Sequence, residues 1–258
     1  MNIKKALRIL KNYNAEIAVF AGSGLKEIIK LESPKTVSYT ALGFQFADIS
    51  GHERCLEFGE FLGKKIVLAS RFHYYEDGSP DDMYNLHLLL KALGVKTIIS
   101  TTATGGINPD FQPGDIMLVK DHINFSSTNP FVGKLPVKFV DMTNAYTKHL
   151  REKVKDIAKK QRIKLYEGTH IQVIGPSYET PAEVKFFRMI GADTVSMSLV
   201  HGAILARHLD MEFVAFASVS NKAVEENSIP LTHEEVVKVS EKAAKKLAKI
   251  ISKLIGEL

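Results

Sequence analysis

Cys55 is the only cysteine in the 258 residues. The chain can therefore form no internal disulfide, and a reducing, cytoplasmic setting is expected. No uninterrupted apolar run approaches the ~20 residues that a membrane-spanning helix requires. The opening "MNIKKALRIL" has neither the long apolar core nor the small-residue cleavage site of a secretory leader, and it reads as an amphipathic helix. Metal chemistry has little to stand on. "HEEVV" at 233–237 starts like a zinc-protease helix, but Val237 stands where the second histidine belongs. Gly-x-Ser-x-Gly is absent, which removes the serine-hydrolase elbow, and there is no Walker lysine. Repeats, low-complexity stretches and linkers are missing too. The expectation is one domain over 1–258, with ample length for a real core.

The chain is 45% hydrophobic and 24% charged, ordinary values for a globular protein. A formal charge of +5 and a pI near 9.0 invite a nucleic-acid reading. The lysine placement argues against it. In "EKAAKKLAKIISKLIGEL", Leu247, Ile250, Ile251, Leu254 and Ile255 recur at helical spacing, while Lys242, Lys245, Lys246, Lys249 and Lys253 fall on the other side. That is the pattern of a solvated helix face, and no zinc-finger spacing or aromatic RNA-binding motif accompanies it. Neither nucleic acid nor membrane is expected as a partner. A modest positive field still attracts small anions.

Runs rich in β-branched or aromatic residues recur at 17–21, 65–70, 97–101, 115–119, 170–174, 194–198 and 213–219. Most are continuous rather than alternating, as in strands covered on both faces. Helical patterns lie between several of them. "YNLHLLLKALG" ends on Gly94, and "TPAEVKFFRMIG" has Thr180 and Glu183 spaced as a capping box, Pro181 at the first position and Gly191 as a left-handed stop. "THEEVVKV" repeats the box with Thr232 and Glu235. The expected class is α/β, built on a mostly parallel or mixed sheet.

Polar residues then recur where strands end. "FAGSGL" puts Gly22, Ser23 and Gly24 after the first strand, but Glu27 occupies the third glycine position of a dinucleotide fingerprint. What remains is equally a plain turn or a small-anion nest. In "SRFHYYEDG", Arg71, His73 and Tyr75 alternate and would share one face of an extended chain. They suit a phosphate clamp, or the outward side of an edge strand. "TTATGGINP" follows a strand with Gly105 and Gly106, which reads as a loop whose amides approach a ligand closely. "VIGPSYET" leaves Tyr178 and Glu179 before a capped helix, and "TVSMSLV" leaves Met197 and Ser198 at another strand end. "SVSNKAV" finishes a greasy run on Ser220, Asn221 and Lys222. Asn221 there is either part of a capping loop or an amide at the carboxyl end of a parallel strand, where α/β sheets hold ligands.

These segments, with "EGTHIQVIGPSYETPAE", "GADTVSMS", "ARH" and "SNK", span nearly the whole chain in one order. In that order they resemble the trimeric (low-molecular-mass) purine nucleoside phosphorylases, a group that includes methylthioadenosine phosphorylases. The resemblance implies a single α/β domain with a mixed, largely parallel, barrel-like sheet flanked by helices, and active sites near the contacts of a homotrimer. By position it places phosphate at Ser23, Arg71, His73, Ser198 and the backbone of Thr104, with His52 nearby. It puts ribose hydroxyls at Tyr75 and the Met197 backbone, and the 5′-hydroxyl at His233. It makes Tyr178 a stacking partner and Glu179 and Asn221 readers of the purine edge. Of these, Asn221, Glu179 and His73 would act in catalysis. A neighbouring subunit would lend an aromatic residue, with Phe139 favoured over Phe125 and Phe131. Where the family commonly has Gly-Met-Ser-Thr-Val-Pro-Glu, this chain has "SMSLVHG", so Ser196, His201 and Gly202 depart.

The implied reaction is reversible phosphorolysis of purine (deoxy)ribonucleosides, 6-oxopurines preferred, with inorganic phosphate as co-substrate and no metal or organic cofactor. Two other readings attach to the same residues. A 6-aminopurine or methylthioadenosine phosphorylase would want aspartate at position 221 and a small apolar group at 233. A nucleoside-binding protein would hold its ligand without turnover.

Overall fold

The computed structural model describes residues 2–21, 29–44, 54–70, 80–134, 138–223 and 233–258, with side chains at 80 and 233–242 left aside. The elements in order are α1 (Ile3–Ile9), β1 (Ile17–Phe20), β2 (Glu32–Ser38), β3 (Cys55–Phe61), β4 (Lys64–Ala69), α2 (Pro80–Ala92), β5 (Thr97–Gly106) and β6 (Ile116–Asn124). There follow α3 (Lys148–Lys160), β7 (Tyr166–Gln172), α4 (Pro181–Met189), β8 (Thr194–Ser196), α5 (Val200–His208), β9 (Glu212–Lys222) and α6 (His233–Gly256).

The strands hydrogen-bond in the order β2-β3-β4-β1-β5-β8-β7-β6-β9, and β9 returns to pair with β5. So β5, β8, β7, β6 and β9 close a ring, and β1, β4, β3 and β2 extend from it as an open wing. The sheet is mixed. β1 runs parallel to β4 and β5, and β5 parallel to β9, whereas β8 is antiparallel to β5 and β6 antiparallel to β9. The barrel-like α/β architecture expected from the resemblance is present.

Alternation along single strands shows why the sequence runs are continuously apolar. Phe213, Ala215, Ala217 and Val219 of β9 join one core, together with residues of α1, α2 and α5. Val214 and Phe216 of the same strand join the core covered by α3 and α6. With helices on both sides, the middle of such a strand, Phe213 to Ser220 in β9, is buried throughout, so no alternation of buried and exposed residues appears. A third, smaller core packs Val184 and Phe187 of α4 against Ile171 and Val195. The helix ends follow local chemistry. Thr180 and Glu183 form the reciprocal capping box with Pro181 in the first turn, and Gly191 has φ 92°. The apolar side of α6 is buried at Leu247, Ile250, Ile251, Leu254 and Ile255, while Lys245, Lys246, Lys249 and Lys253 are exposed. The Thr232 box lies outside the described residues.

Three parts of the sheet differ from the sequence reading. Gly105 and Gly106 are strand, not loop: they pair with Val195 and Thr194 of β8 and with Asn221 and Lys222 of β9. A Cβ on Gly105 would sit 3.2 Å from a Val195 methyl, and one on Gly106 3.0 Å from a Val219 methyl. A side chain at either position would press on these methyls, so glycine suits a strand hemmed in on both sides. The run at 170–174 belongs to a strand that starts four residues earlier and ends at Gln172. Strands β2 and β3 were not legible as apolar runs. They form an antiparallel extension with β4, and β3 turns into β4 through Leu62 and Gly63 at φ 53° and 74°, a two-residue hairpin whose twist suits the strands.

Candidate functional site

Both β1 and β9 are parallel to β5, so their carboxyl ends share one edge of the sheet, with β4 beside β1. The chain carrying Ser23 follows β1, and that carrying Arg71, His73 and Tyr75 follows β4. These four residues and His52 lie outside the described residues. His233 opens α6, and its side chain is likewise not described. The structure does place Thr104, Ser198, Met197, Asn221, Tyr178 and Glu179.

Two of these sit on paired strands, Thr104 on β5 and Asn221 on β9, while Met197 and Ser198 directly follow β8. Asn221 is the penultimate residue of β9, beside Gly105 of β5. It thus lies at the end of a parallel strand rather than in a capping loop. The Ser220 hydroxyl donates to Asn221 Oδ1 at 2.7 Å, and Asn221 Nδ2 donates to the Lys222 carbonyl at 3.0 Å. These two bonds fix which end of the amide is which. An asparagine has two N–H groups and two carbonyl lone pairs, so one of each is left to meet a ligand. Ser220 Oγ also lies 3.2 Å from the Thr104 carbonyl oxygen, tying β9 to β5 at this level. Thr104 is buried, and its own hydroxyl donates to the Ser218 carbonyl at 3.3 Å. Its side chain is thereby turned into the sheet, which suits a backbone role.

Ser198 approaches β5 from the other side. Strand β8 runs antiparallel to β5, and two residues beyond it the Ser198 hydroxyl lies 3.4 Å from Thr102 Oγ1. Met197 is seated on Gly175, where φ is 73° and an added Cβ would overlap the Met197 sulfur and stand 2.9 Å from its Cγ. Only a glycine permits that approach. It fixes the start of the segment carrying Tyr178, which is 79% exposed, and Glu179. Burial pushes the Glu179 carboxyl above its usual range, with the nearby Glu183 carboxylate adding to the effect.

Several polar residues to which sequence reasoning gave no role are knitted into this region. His170, Gln172 and His201 are almost wholly buried. His170 bridges Thr194 Oγ1 and Ser196 Oγ, both at 2.9 Å. Gln172 accepts from the Val200 amide at 2.7 Å, and its NH₂ donates to His201 Nδ1 at 2.7 Å. His201 Nε2 then faces Ser126 Oγ and Thr128 Oγ1 at 3.1 and 3.2 Å. Burial brings the His201 pKa down to about 4, so its ring is neutral near pH 7. The signal for these residues was the polar-apolar alternation His170, Ile171, Gln172, Val173 inside a run taken as apolar.

An open groove of about 510 Å³, lined by Leu62, Gln161, Lys249, Ser252, Lys253 and Gly256, lies at the opposite edge, by the β3–β4 turn and the end of α6. Among the described residues it holds no buried polar side chain and lies far from this constellation. The candidate site is the cluster at β5, β8 and β9.

Residues 16–256 match the family model described as "Phosphorylase superfamily". The chain is 36% identical to "Purine nucleoside phosphorylase 1" of Geobacillus stearothermophilus, covering 99% of this chain and 97% of that one. It is also 36% identical to "Purine nucleoside phosphorylase" of Bos taurus, covering 94% and 89%. A purine nucleoside phosphorylase of Schistosoma mansoni solved in complex with inosine superposes with a TM-score of 0.91 at 31% identity, over 99% of this chain and 95% of that one. Matches that run over nearly the whole chain in both sequence and fold show that this chain belongs to the purine nucleoside phosphorylase family of the phosphorylase superfamily.

Proposed function

We propose that this protein is a purine nucleoside phosphorylase, which splits purine (deoxy)ribonucleosides with inorganic phosphate into free base and (deoxy)ribose 1-phosphate. The observation that carries the reading is Asn221: its amide is held in one orientation at the end of β9, with a donor and an acceptor left over, one strand away from Thr104. That pair matches a 6-oxopurine, whose O6 accepts from the amide N–H and whose N7, once it has taken a proton, donates to the amide oxygen. Glu179 accepts from the N1–H of the same base.

Phosphate is a weak nucleophile, so the chemistry rests on placing it beneath C1′ and on stabilising charge. As the bond from C1′ to N9 breaks, the sugar becomes oxocarbenium-like and the phosphate below it stabilises that charge. A phosphate oxygen then bonds to C1′, and the bond pair leaves with the purine. Ser198 and the Thr104 backbone, with Ser23, Arg71 and His73, form the anion site in this reading, and His52 lies beside it. Tyr75 and the Met197 backbone hold ribose, His233 the 5′-hydroxyl, and Tyr178 stacks. No cofactor takes part. The protein works in the cytoplasm as a homotrimer, and the 95% exposure of the Phe139 ring supports its insertion into a neighbouring site.

The test is incubation of inosine, guanosine, adenosine and methylthioadenosine separately, with and without phosphate, while assaying free base. Phosphate-dependent release from inosine and guanosine is expected. Binding without release would leave a nucleoside-binding protein, and preference for methylthioadenosine would overturn the 6-oxopurine reading.

A further inference from the structure

We propose that His170 is a positioning residue for the Ser198 turn, acting through the Ser196 hydroxyl; the inference rests on the reading of Ser198 as a phosphate ligand. In the ring, cross-strand register aligns His122 with His170 and Thr194, and Asn124 with Gln172 and Ser196. Residues paired in this way project on the same face. The result is a two-row polar ladder across β6, β7 and β8, with Ile171 turned the other way into the core beneath α4. Buried polar groups of this kind persist only when hydrogen-bonded.

Counting protons fixes how the ladder works. Ser196 Oγ has a single proton, which goes to the Ser198 carbonyl at 2.8 Å. With that proton placed, the 2.9 Å contact from His170 Nε2 to the same oxygen is met by an N–H of the ring. With that tautomer His170 Nδ1 accepts the Thr194 hydroxyl proton at 2.9 Å, in preference to the 4.0 Å contact of the same hydroxyl with Met117 Sδ. One neutral tautomer satisfies all three bonds. The Ser198 amide also points at Ser196 Oγ, at 3.4 Å. Both backbone groups of Ser198 are thus referred to one hydroxyl, and His170 sets the direction in which that hydroxyl points.

The exit from the turn is held independently. Leu199 stands at φ 103°, and Gln172 accepts from the Val200 amide and donates to His201. Loss of His170 therefore loosens the turn at Ser196 and Ser198 without releasing α5. Ser196 stands where the family commonly has glycine, so the relay belongs to this chain's own sequence.

The experiment compares His170→Phe, Ser196→Ala and the double variant with the wild type, measuring KM for phosphate, KM for inosine at saturating phosphate, and thermal stability. Each single variant is expected to raise the phosphate KM about 10-fold, the effect of one misplaced hydrogen bond, and to move the inosine KM less than about threefold. The double variant should be no worse than either single one. His170→Gln, which keeps an N–H near Nε2, should restore most of the phosphate affinity. A phosphate KM unchanged in Ser196→Ala, effects that multiply in the double variant, or phosphate and inosine KM rising together would overturn the relay. If His170→Phe does not fold, Ser196→Ala and His170→Gln decide by the same criteria. A wild type whose base release ignores phosphate overturns the functional reading and the relay with it. A phosphate-dependent wild type with unaltered variants overturns the relay alone.

Discussion

Replacing Asn221 by aspartate changes one NH₂ into an oxygen and leaves the side-chain shape almost untouched. The inner oxygen can still receive the Ser220 hydroxyl now 2.7 Å away. The outer oxygen takes the place of Nδ2 and meets the Lys222 carbonyl, so a 3.0 Å hydrogen bond becomes a contact between two acceptors. Toward the substrate the change is larger. An ionised carboxylate only accepts, so the donor to O6 of inosine is lost and a negative charge faces an oxygen. A hydrogen bond involving a charged group is worth about 1.5–3 kcal/mol, which corresponds to about 10- to 150-fold in kcat/KM. Adenosine presents an amino group at the same place and gains relative to inosine. The quantity to measure is the ratio of kcat/KM for inosine over adenosine, at saturating phosphate, in both proteins. It should exceed one in the wild type and fall by about that factor in Asn221→Asp. A wild-type ratio already below one, or a ratio unmoved by the substitution, would show that Asn221 does not read position 6 of the purine.

Three further outcomes follow from particular contacts. Gly175→Ala places a methyl group into Met197 at φ 73°. Left-handed backbone at about 1–2 kcal/mol plus overpacking at about 1–3 kcal/mol should lower the melting temperature by roughly 5–15 °C and raise the nucleoside KM; an unchanged melting curve refutes the contact. His201 titrates near 4 in the folded chain and near 6.5 when unfolded. The unfolded state binds the extra proton between those values, so this contribution is complete above about pH 6.5 and lost as pH falls toward 4, by about 3 kcal/mol. Denaturation at pH 7.5 and 4.5 should show a smaller difference in His201→Gln than in the wild type, and equal differences would exclude the assignment. Phe139→Ala should raise the nucleoside KM while sedimentation still reports a trimer, and a fully active wild-type monomer would contradict both parts.

The sequence was most legible where one local rule governs a segment. The α4 box, the α6 stripe and the strands buried on both faces each needed only period and end residues. Strand β2, "ESPKTVS", is mostly exposed and contains Pro34, so nothing apolar marks it; its existence depends on pairing with β3. Helix α5 is buried nearly all round, which leaves no polar side to give a period. Helix α3 did carry the spacing, in Leu150, Val154 and Ile157. For the site, residue types at strand ends pointed to Asn221, Ser198 and Glu179. The His170–Ser196 bridge could not be read, because it depends on which strands of the closed ring become neighbours.

Ring closure also explains how one strand can serve both ends of a substrate. Strand β5 receives β9 in parallel and β8 in the opposite sense. Antiparallel β8 delivers its following residue, Ser198, back to the level of Thr102. Parallel β9 carries Asn221 forward to the level of Gly105. Three residues of strand separate those levels, on the order of 10 Å at about 3.3 Å each. On the proposed reading, phosphate spans from the Ser198 hydroxyl at the first level to the Thr104 backbone, and the purine edge meets Asn221 at the second. Had β8 run parallel to β5, Ser198 would have emerged beyond Gly106, on the base side, and the two reactants could not straddle C1′. On that reading the register of these three strands sets how far apart phosphate and base are held, at the place where Gly105 and Gly106 give the closely packed strands room.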